Sequence, residues 1–287
     1  MNIRQLLYNR LVHLAGKEGR ANWERQLLQT AYLKLLAAEN PLVSTKIGQL
    51  EIHVPFAETL PHFVATSTLF SDFLSRVHQQ LITYFGETSA VIAGAETGIL
   101  LPFLPEKLPT LAIEGNQTYF DTISKQFSSL PNLRFEPARI TNEEIDEFMD
   151  VPLGTVVSMP FNWILQASPD FLHTKWLIVS NPDVLLPVLE SGFSWLKQET
   201  PLLQIRLIPN RLYYSDTEIK DIFTLIRDIG YWSLTGFSIF GKKIHTCTVT
   251  DQTGIQNLLK YAKSASEGMI WLILLPGKEK ELHQALL

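Results

Sequence analysis

Two glycines and one glutamate carry the first chemical suggestion in this sequence. Gly94 and Gly98 follow directly on the small apolar run Ser89-Ala90-Val91-Ile92-Ala93, and Glu114 stands 20 residues beyond Gly94. Glycines at the end of a strand let the backbone turn sharply and come close to a ligand. In nucleotide-binding βαβ units an acid at about that distance, at the tip of the second strand, accepts hydrogen bonds from a ribose diol. The spacing therefore suits a nucleotide-like ligand. The loop is Gly-x-x-x-Gly rather than Gly-x-Gly-x-x-Gly, so the phosphate cradle is incomplete, and a glycine turn in another kind of α/β protein also fits.

These residues need particular elements to position them. Residues 89–93 show no alternation, as expected of a parallel strand buried on both faces. Thr110 to Ile113 is a second apolar run that ends at Glu114. The segment between them carries Pro102 and Pro105, so any helix there is short. Upstream, Phe70, Phe73, Leu74, Val77, Leu81, Ile82 and Phe85 repeat at helical spacing, and Gly86 supplies a stop.

Downstream, Gln117 to Ser128 reads as a helix and Leu133 to Glu136 as a short strand stopped by Pro137. Further strands are expected at 155–157, 175–180 and 202–208, with helices over 184–196 and 216–229 and β-like pieces at 232–240, 244–249 and 269–275. A turn is expected before Asn162-Trp163. Alternating strands and helices predict an α/β, Rossmann-like fold: a mostly parallel sheet with helices on both faces and an antiparallel C-terminal edge. Residues 2–38 carry Leu7, Leu11, Leu14, Leu27, Leu28, Ala31 and Leu35 at helical steps, broken near Gly16 to Gly19, and 45–55 read as a strand or hairpin arm. The expected division is a helical and β appendage over 1–65 and a main domain over 66–287. The N-terminal helices offer either a cap on the core or a docking surface for a protein partner or a second copy.

Composition narrows the function classes. The chain has 287 residues, 46% hydrophobic and 18% charged, which is enough for a sizeable core. Net charge is -5 with no basic run, which argues against a nucleic-acid partner. Cys247 is the single cysteine, so no internal disulfide forms, and a reducing, cytoplasmic setting is expected. No apolar run approaches about 18 residues, so no membrane span is expected. The seven histidines include no His-x-His or His-x-x-x-His pair, and no metal site is expected. There is no Gly-x-Ser-x-Gly elbow, and His173 is the most plausible single base.

The order of parts resembles a class I S-adenosylmethionine-dependent methyltransferase, most closely the FkbM-type O-methyltransferases. Three stretches carry the likeness. VIAGAETG resembles the first motif of that family, with Gly94, Ala95 and Gly98 in place. LAIEGNQTYFDTISKQFSSLPNLRFEPARI resembles its second strand and helix, with Glu114, Gly115 and Asn116 filling the motif positions. KWLIVSNPDVLLPVLESG resembles the family's Lys-Ile-Asp-x-Glu-Gly segment in length and apolar pattern. The likeness spans about residues 45 to 287.

The resemblance implies S-adenosylmethionine as cofactor, Gly94, Ala95, Glu96, Gly98, Glu114, Gly115 and Asn116 as its binding residues, and a hydroxyl on a sugar, glycan or specialised metabolite as substrate. It departs from the family at Ile92, where an acid is usual, and at Glu96, where a small or amide residue is usual. Ser180, Pro182 and Asp183 replace the usual Asp, Glu and Gly. Ser180, Asn181 and Asp183 are thus the candidates for the chemical step. Asp183 serves either as a charge facing the crevice or as the N-cap of the following helix. A catalytically inactive binding or scaffold protein on the same fold is the alternative. A nicotinamide-dependent oxidoreductase also uses an acid after a glycine turn, but neither Gly-x-Gly-x-x-Gly nor a Tyr-x-x-x-Lys pair is present.

Overall fold

The computed structural model describes residues 5–6, 8–9, 42–47, 50–55, 67–142, 152, 154–207, 216–238, 241–264 and 270–277. The N-terminal helices expected over 2–38 lie almost wholly outside the described residues. The strand or hairpin expected at 45–55 is an antiparallel hairpin of β1 (Leu42–Ile47) and β2 (Leu50–Pro55).

Eight strands form the main sheet: β3 (Ala90–Ala93), β4 (Thr110–Ile113), β5 (Leu133–Glu136), β8 (Trp176–Val179), β9 (Leu202–Leu207), β10 (Tyr231–Phe237), β11 (Lys243–Thr248) and β12 (Ile270–Pro276). Their spatial order is β11-β10-β12-β9-β8-β3-β4-β5. The run from β9 to β5 is parallel throughout. β12 runs antiparallel to both β9 and β10, and β11 antiparallel to β10. This is the expected Rossmann-like sheet with an antiparallel edge. The chain moves outward from β3 through β4 to β5, then returns to β8 on the other side of β3. The order reverses at β3, the kind of switch point at which an open α/β sheet has its crevice, at the carboxyl ends of its strands. β5 ends at Glu136, before Pro137, and a separate parallel pair joins β6 (Ala138–Thr141) to β7 (Val157–Pro160).

Helices cover both faces of the sheet. On one face lie α1 (Ser67–Phe85) and α2 (Gln117–Gln126). Phe70, Phe73, Leu74, Val77 and Leu81 of α1 bury against Ile92, Ile178, Trp271 and Ile273. Phe70 stacks on Trp271 at 5.6 Å and meets Phe103 edge-on at 5.2 Å. Val43 and Ile52 of the hairpin belong to the same cluster. The opposite face is covered by α3 (Phe161–Gln166), α4 (Leu185–Ser191), α5 (Phe193–Glu199), α6 (Asp216–Ile229) and α7 (Gln252–Ser264). Successive strand residues serve alternate faces: Trp176 and Ile178 face α1, while Leu177 and Val179 face α4. Every residue of β3, β4, β8 and β9 is buried, which explains their near-continuous apolar sequence. Among the described residues no helix is long and apolar enough to cross a membrane.

Candidate functional site

The glycine turn and the acid meet at the switch point. β3 ends at Ala93, and Gly94 then takes φ +69, in the left-handed region. A Cβ there would lie 2.5 Å from Asn181 Cβ, so only glycine lets β3 leave the sheet so close to the tip of β8. Gly98 also has positive φ, at +71. The turn is pinned to the neighbouring strand, because the Ala95 N–H donates to the Ile113 carbonyl at 2.9 Å. No α-helix opens at Thr97-Gly98. One 3-10 turn, Leu101–Phe103, fills the space, as the two prolines require.

Glu114 continues β4 and is 5% exposed. Its carboxylate accepts the Glu96 N–H at 2.5 Å and the Asn116 N–H at 2.7 Å. Both bonds are charge-assisted, so they fix the carboxylate against the turn more firmly than neutral bonds would. Asn116 is exposed and caps α2, accepting from the Tyr119 N–H at 3.2 Å. Gly115 is a point of close backbone approach: a Cβ would stand 2.9 Å from Arg139 Cα.

Glu96 departs furthest from expectation. It holds φ +52, one of two non-glycine residues with positive φ among the described residues. Such a conformation costs on the order of 1–3 kcal/mol and persists only where its surroundings enforce it. Two contacts enforce it here: its N–H is held by Glu114, and its carboxylate accepts from Arg206 Nη1 at 2.9 Å. Glu96 and Arg206 are each 8% exposed. Arg206 lies on β9 and Glu96 just beyond β3, with β8 between those strands, so the ion pair spans the tip of β8. Thr97, beside Glu96, is 2% exposed, and its buried Oγ1 has no hydrogen-bond partner among the described residues.

At the tip of β8, Ser180 is buried and its N–H donates to the Ala93 carbonyl at 3.0 Å. The Asn181 side chain accepts the Asp183 N–H at 2.9 Å, capping a 3-10 turn over Pro182–Val184. The cap is thus Asn181 rather than Asp183, whose side chain is exposed. The structure brings Gly94, Ala95, Glu96, Glu114 and Ser180 to one corner of the sheet. It leaves Asp183 at the surface. His173 precedes β8, at the end of that strand away from the crevice, and pairs there with Glu199 at 3.1 Å.

Arg206 was not among the residues expected at the site. Its trace in the sequence is a cation inside the apolar run LLQIRL, because an arginine in a buried strand needs a partner. Gln204, two residues earlier on the same face, is also buried and accepts from Trp176 Nε1 at 3.1 Å.

No family model matches this chain, and no curated protein matches it. Solved structures do. Human methyltransferase 10 domain containing protein is 11% identical over 90% of this chain and 99% of its own, with a TM-score of 0.41. Precorrin-6y C5,15-methyltransferase from Geobacter metallireducens is 11% identical over 72% of this chain and 86% of its own, with a TM-score of 0.37. Methyltransferase FkbM from Methylobacillus flagellatus is 14% identical over 74% of this chain and 56% of its own, with a TM-score of 0.38. All three are named as methyltransferases, but at such scores the likeness is distant and assigns neither substrate nor cofactor to this chain.

Proposed function

We propose that the crevice at β3 and β4 binds S-adenosylmethionine and that the protein transfers its methyl group to a hydroxyl of a sugar or specialised metabolite. The observation that carries this reading is Glu114, an acid at the tip of β4 fixed against the glycine turn at the point of strand reversal. The residues present fit the cofactor in three respects. Gly94 and Gly98 give the turn left-handed backbone at both of its ends. Glu114 has the chemistry to hold a ribose diol. Glu96 and Arg206 together present one negative and one positive group, complementary to the ammonium and carboxylate of an amino-acid end.

When bound, the sulfonium supplies a methyl group already activated for transfer, so the protein mainly has to position the acceptor. In this reading the Ser180 hydroxyl orients the acceptor hydroxyl. As a neutral side chain it lacks the negative charge that would take the proton.

That lack supports a second reading, a binding or scaffold protein that has kept the fold and lost transfer. Asp183, the one acid among residues 180–184, is exposed, and Pro182 occupies the position of the usual glutamate. Calorimetry with S-adenosylhomocysteine, S-adenosylmethionine and NAD, one at a time, tests the ligand class. Glu114→Ala is expected to weaken S-adenosylhomocysteine binding by about 1.5–3 kcal/mol through loss of charge-assisted hydrogen bonds. Equal binding by that variant would remove the ribose role. Binding without methyl transfer to any acceptor tried would favour the scaffold reading.

A further inference from the structure

The expectation of no metal site rested on histidine spacing alone, and the fold assembles three different ligands. Across the sheet from the crevice, β11 forms its outer edge. Strand alternation places His245 and Cys247 on one face of β11. The chain then turns, with the Asp251 N–H donating to the Thr248 carbonyl at 3.0 Å, and α7 begins. This turn brings Asp251 back to Cys247. One ligand atom from each of His245, Cys247 and Asp251 lies within 4.8 Å of the others. We propose that these three residues bind a divalent ion of the zinc class and so pin the edge strand to the start of α7.

A second observation marks the same point. Gly254 sits in the first turn of α7, where glycine costs about 0.5–1 kcal/mol relative to alanine. A Cβ there would stand 2.6 Å from Asp251 Oδ2 and 2.9 Å from Cys247 Sγ. Glycine therefore lets α7 start in contact with both residues, since the nearest atom to that Cβ would be Cys247 Cβ at 2.5 Å. Asp251 Oδ1 meanwhile accepts the Gly254 N–H at 2.9 Å, which orients the carboxylate.

The donor set selects the ion. Thiolate, imidazole and carboxylate together suit zinc, whereas calcium and magnesium take oxygen ligands. Tetrahedral coordination at about 2.0–2.3 Å separates ligand atoms by roughly 3.5 Å, so binding would draw these atoms in from the 4.8 Å within which they now lie. Two anionic ligands neutralise a doubly charged ion, and that ion has to offset the burial and the Asp251 charge that together push the Cys247 thiol up to about 11. His245 and Asp251 are exposed, so the ion enters from solvent, and three protein ligands leave a fourth position for water.

The test uses the full chain, reduced and stripped with a chelator, titrated with Co2+. One equivalent is expected to give a thiolate-to-cobalt charge-transfer band that Zn2+ removes. Cys247→Ser should abolish the band. His245→Gln and Asp251→Asn should each weaken cobalt binding at least about tenfold. Asparagine caps a helix as well as aspartate does, so Asp251→Asn removes the ligand charge and keeps the cap. His245 is exposed, so its variant reads binding even if the cysteine variant does not fold. No band, or a band unchanged in both the His245 and Asp251 variants, overturns the site. Neither result depends on whether the crevice binds a cofactor.

Discussion

Replacing Arg206 by methionine should destabilise the protein more than replacing Arg206 and Glu96 together. At 2.9 Å the pair attracts by about 6 kcal/mol at an effective dielectric of about 20. Removing two such charges from water costs several kcal/mol per ion, so the intact pair contributes little net stability. Arg206→Met leaves the Glu96 carboxylate buried without this guanidinium, which costs on the order of 3–5 kcal/mol. In Glu96→Gln/Arg206→Met both charges are gone, and most of that cost should return. Urea unfolding of the four proteins in the cycle measures the difference. With a slope of about 3 kcal/mol per molar, the single arginine variant should unfold about 1 M or more earlier than the parent, and the double variant much closer to it. Additive losses in the cycle, or an Arg206→Met cost below about 1 kcal/mol, would refute the argument that the pair is a buried charge balance.

Two further effects follow from neighbouring contacts. Asn181→Ala removes the side chain that caps the turn over Pro182–Val184 and should cost about 1 kcal/mol in thermal unfolding, whereas exposed Asp183→Ala should stay within about 0.5 kcal/mol. Glu199 should give the acid limb of stability: burial alone would raise its pKa, but hydrogen bonds from Lys175 and His173 outweigh it and hold the pKa below the ordinary glutamate value. Stability from a depressed carboxylate is fully present above the unfolded value of about 4.3 and is lost as pH falls through the folded value. Lys175→Met should therefore flatten the urea midpoint against pH below about pH 5, and an unchanged slope would count against it.

Most of the sheet was legible because its strands are apolar on both faces and bounded by glycine or proline. Where the reading failed, the cause is local. α3 has six residues, too few to show a period, and β7 runs up to it where only a turn before Asn162-Trp163 was expected. The helix expected over 184–196 divides into α4 and α5 at Gly192, whose backbone leaves the helical region at φ -94, ψ 1. α7 was missed although Ile255, Leu258, Leu259 and Ala262 are buried at helical spacing, because Gly254 in its first turn weakens the propensity. The insertion of β12 between β9 and β10 could not be read from order alone. It is a non-local pairing, and consecutive strands more often lie side by side.

The candidate site was legible in its local half only. Gly94, Gly98 and Glu114 fall within one βαβ-like unit, so spacing along the chain reports their meeting in space. Glu96 and Arg206 are 110 residues apart. Each was a visible anomaly, an acid within a glycine turn and a cation within an apolar strand, and burial makes each costly alone. Only the strand order, with β8 between β3 and β9, shows that the two costs cancel. The pairing also accounts for the strained backbone at Glu96, since Arg206 holds its carboxylate while Glu114 holds its N–H. A ligand entering this corner has to leave the charge balance intact or replace it. An amino-acid end, carrying both an ammonium and a carboxylate, can replace both partners at once, and a singly charged ligand cannot.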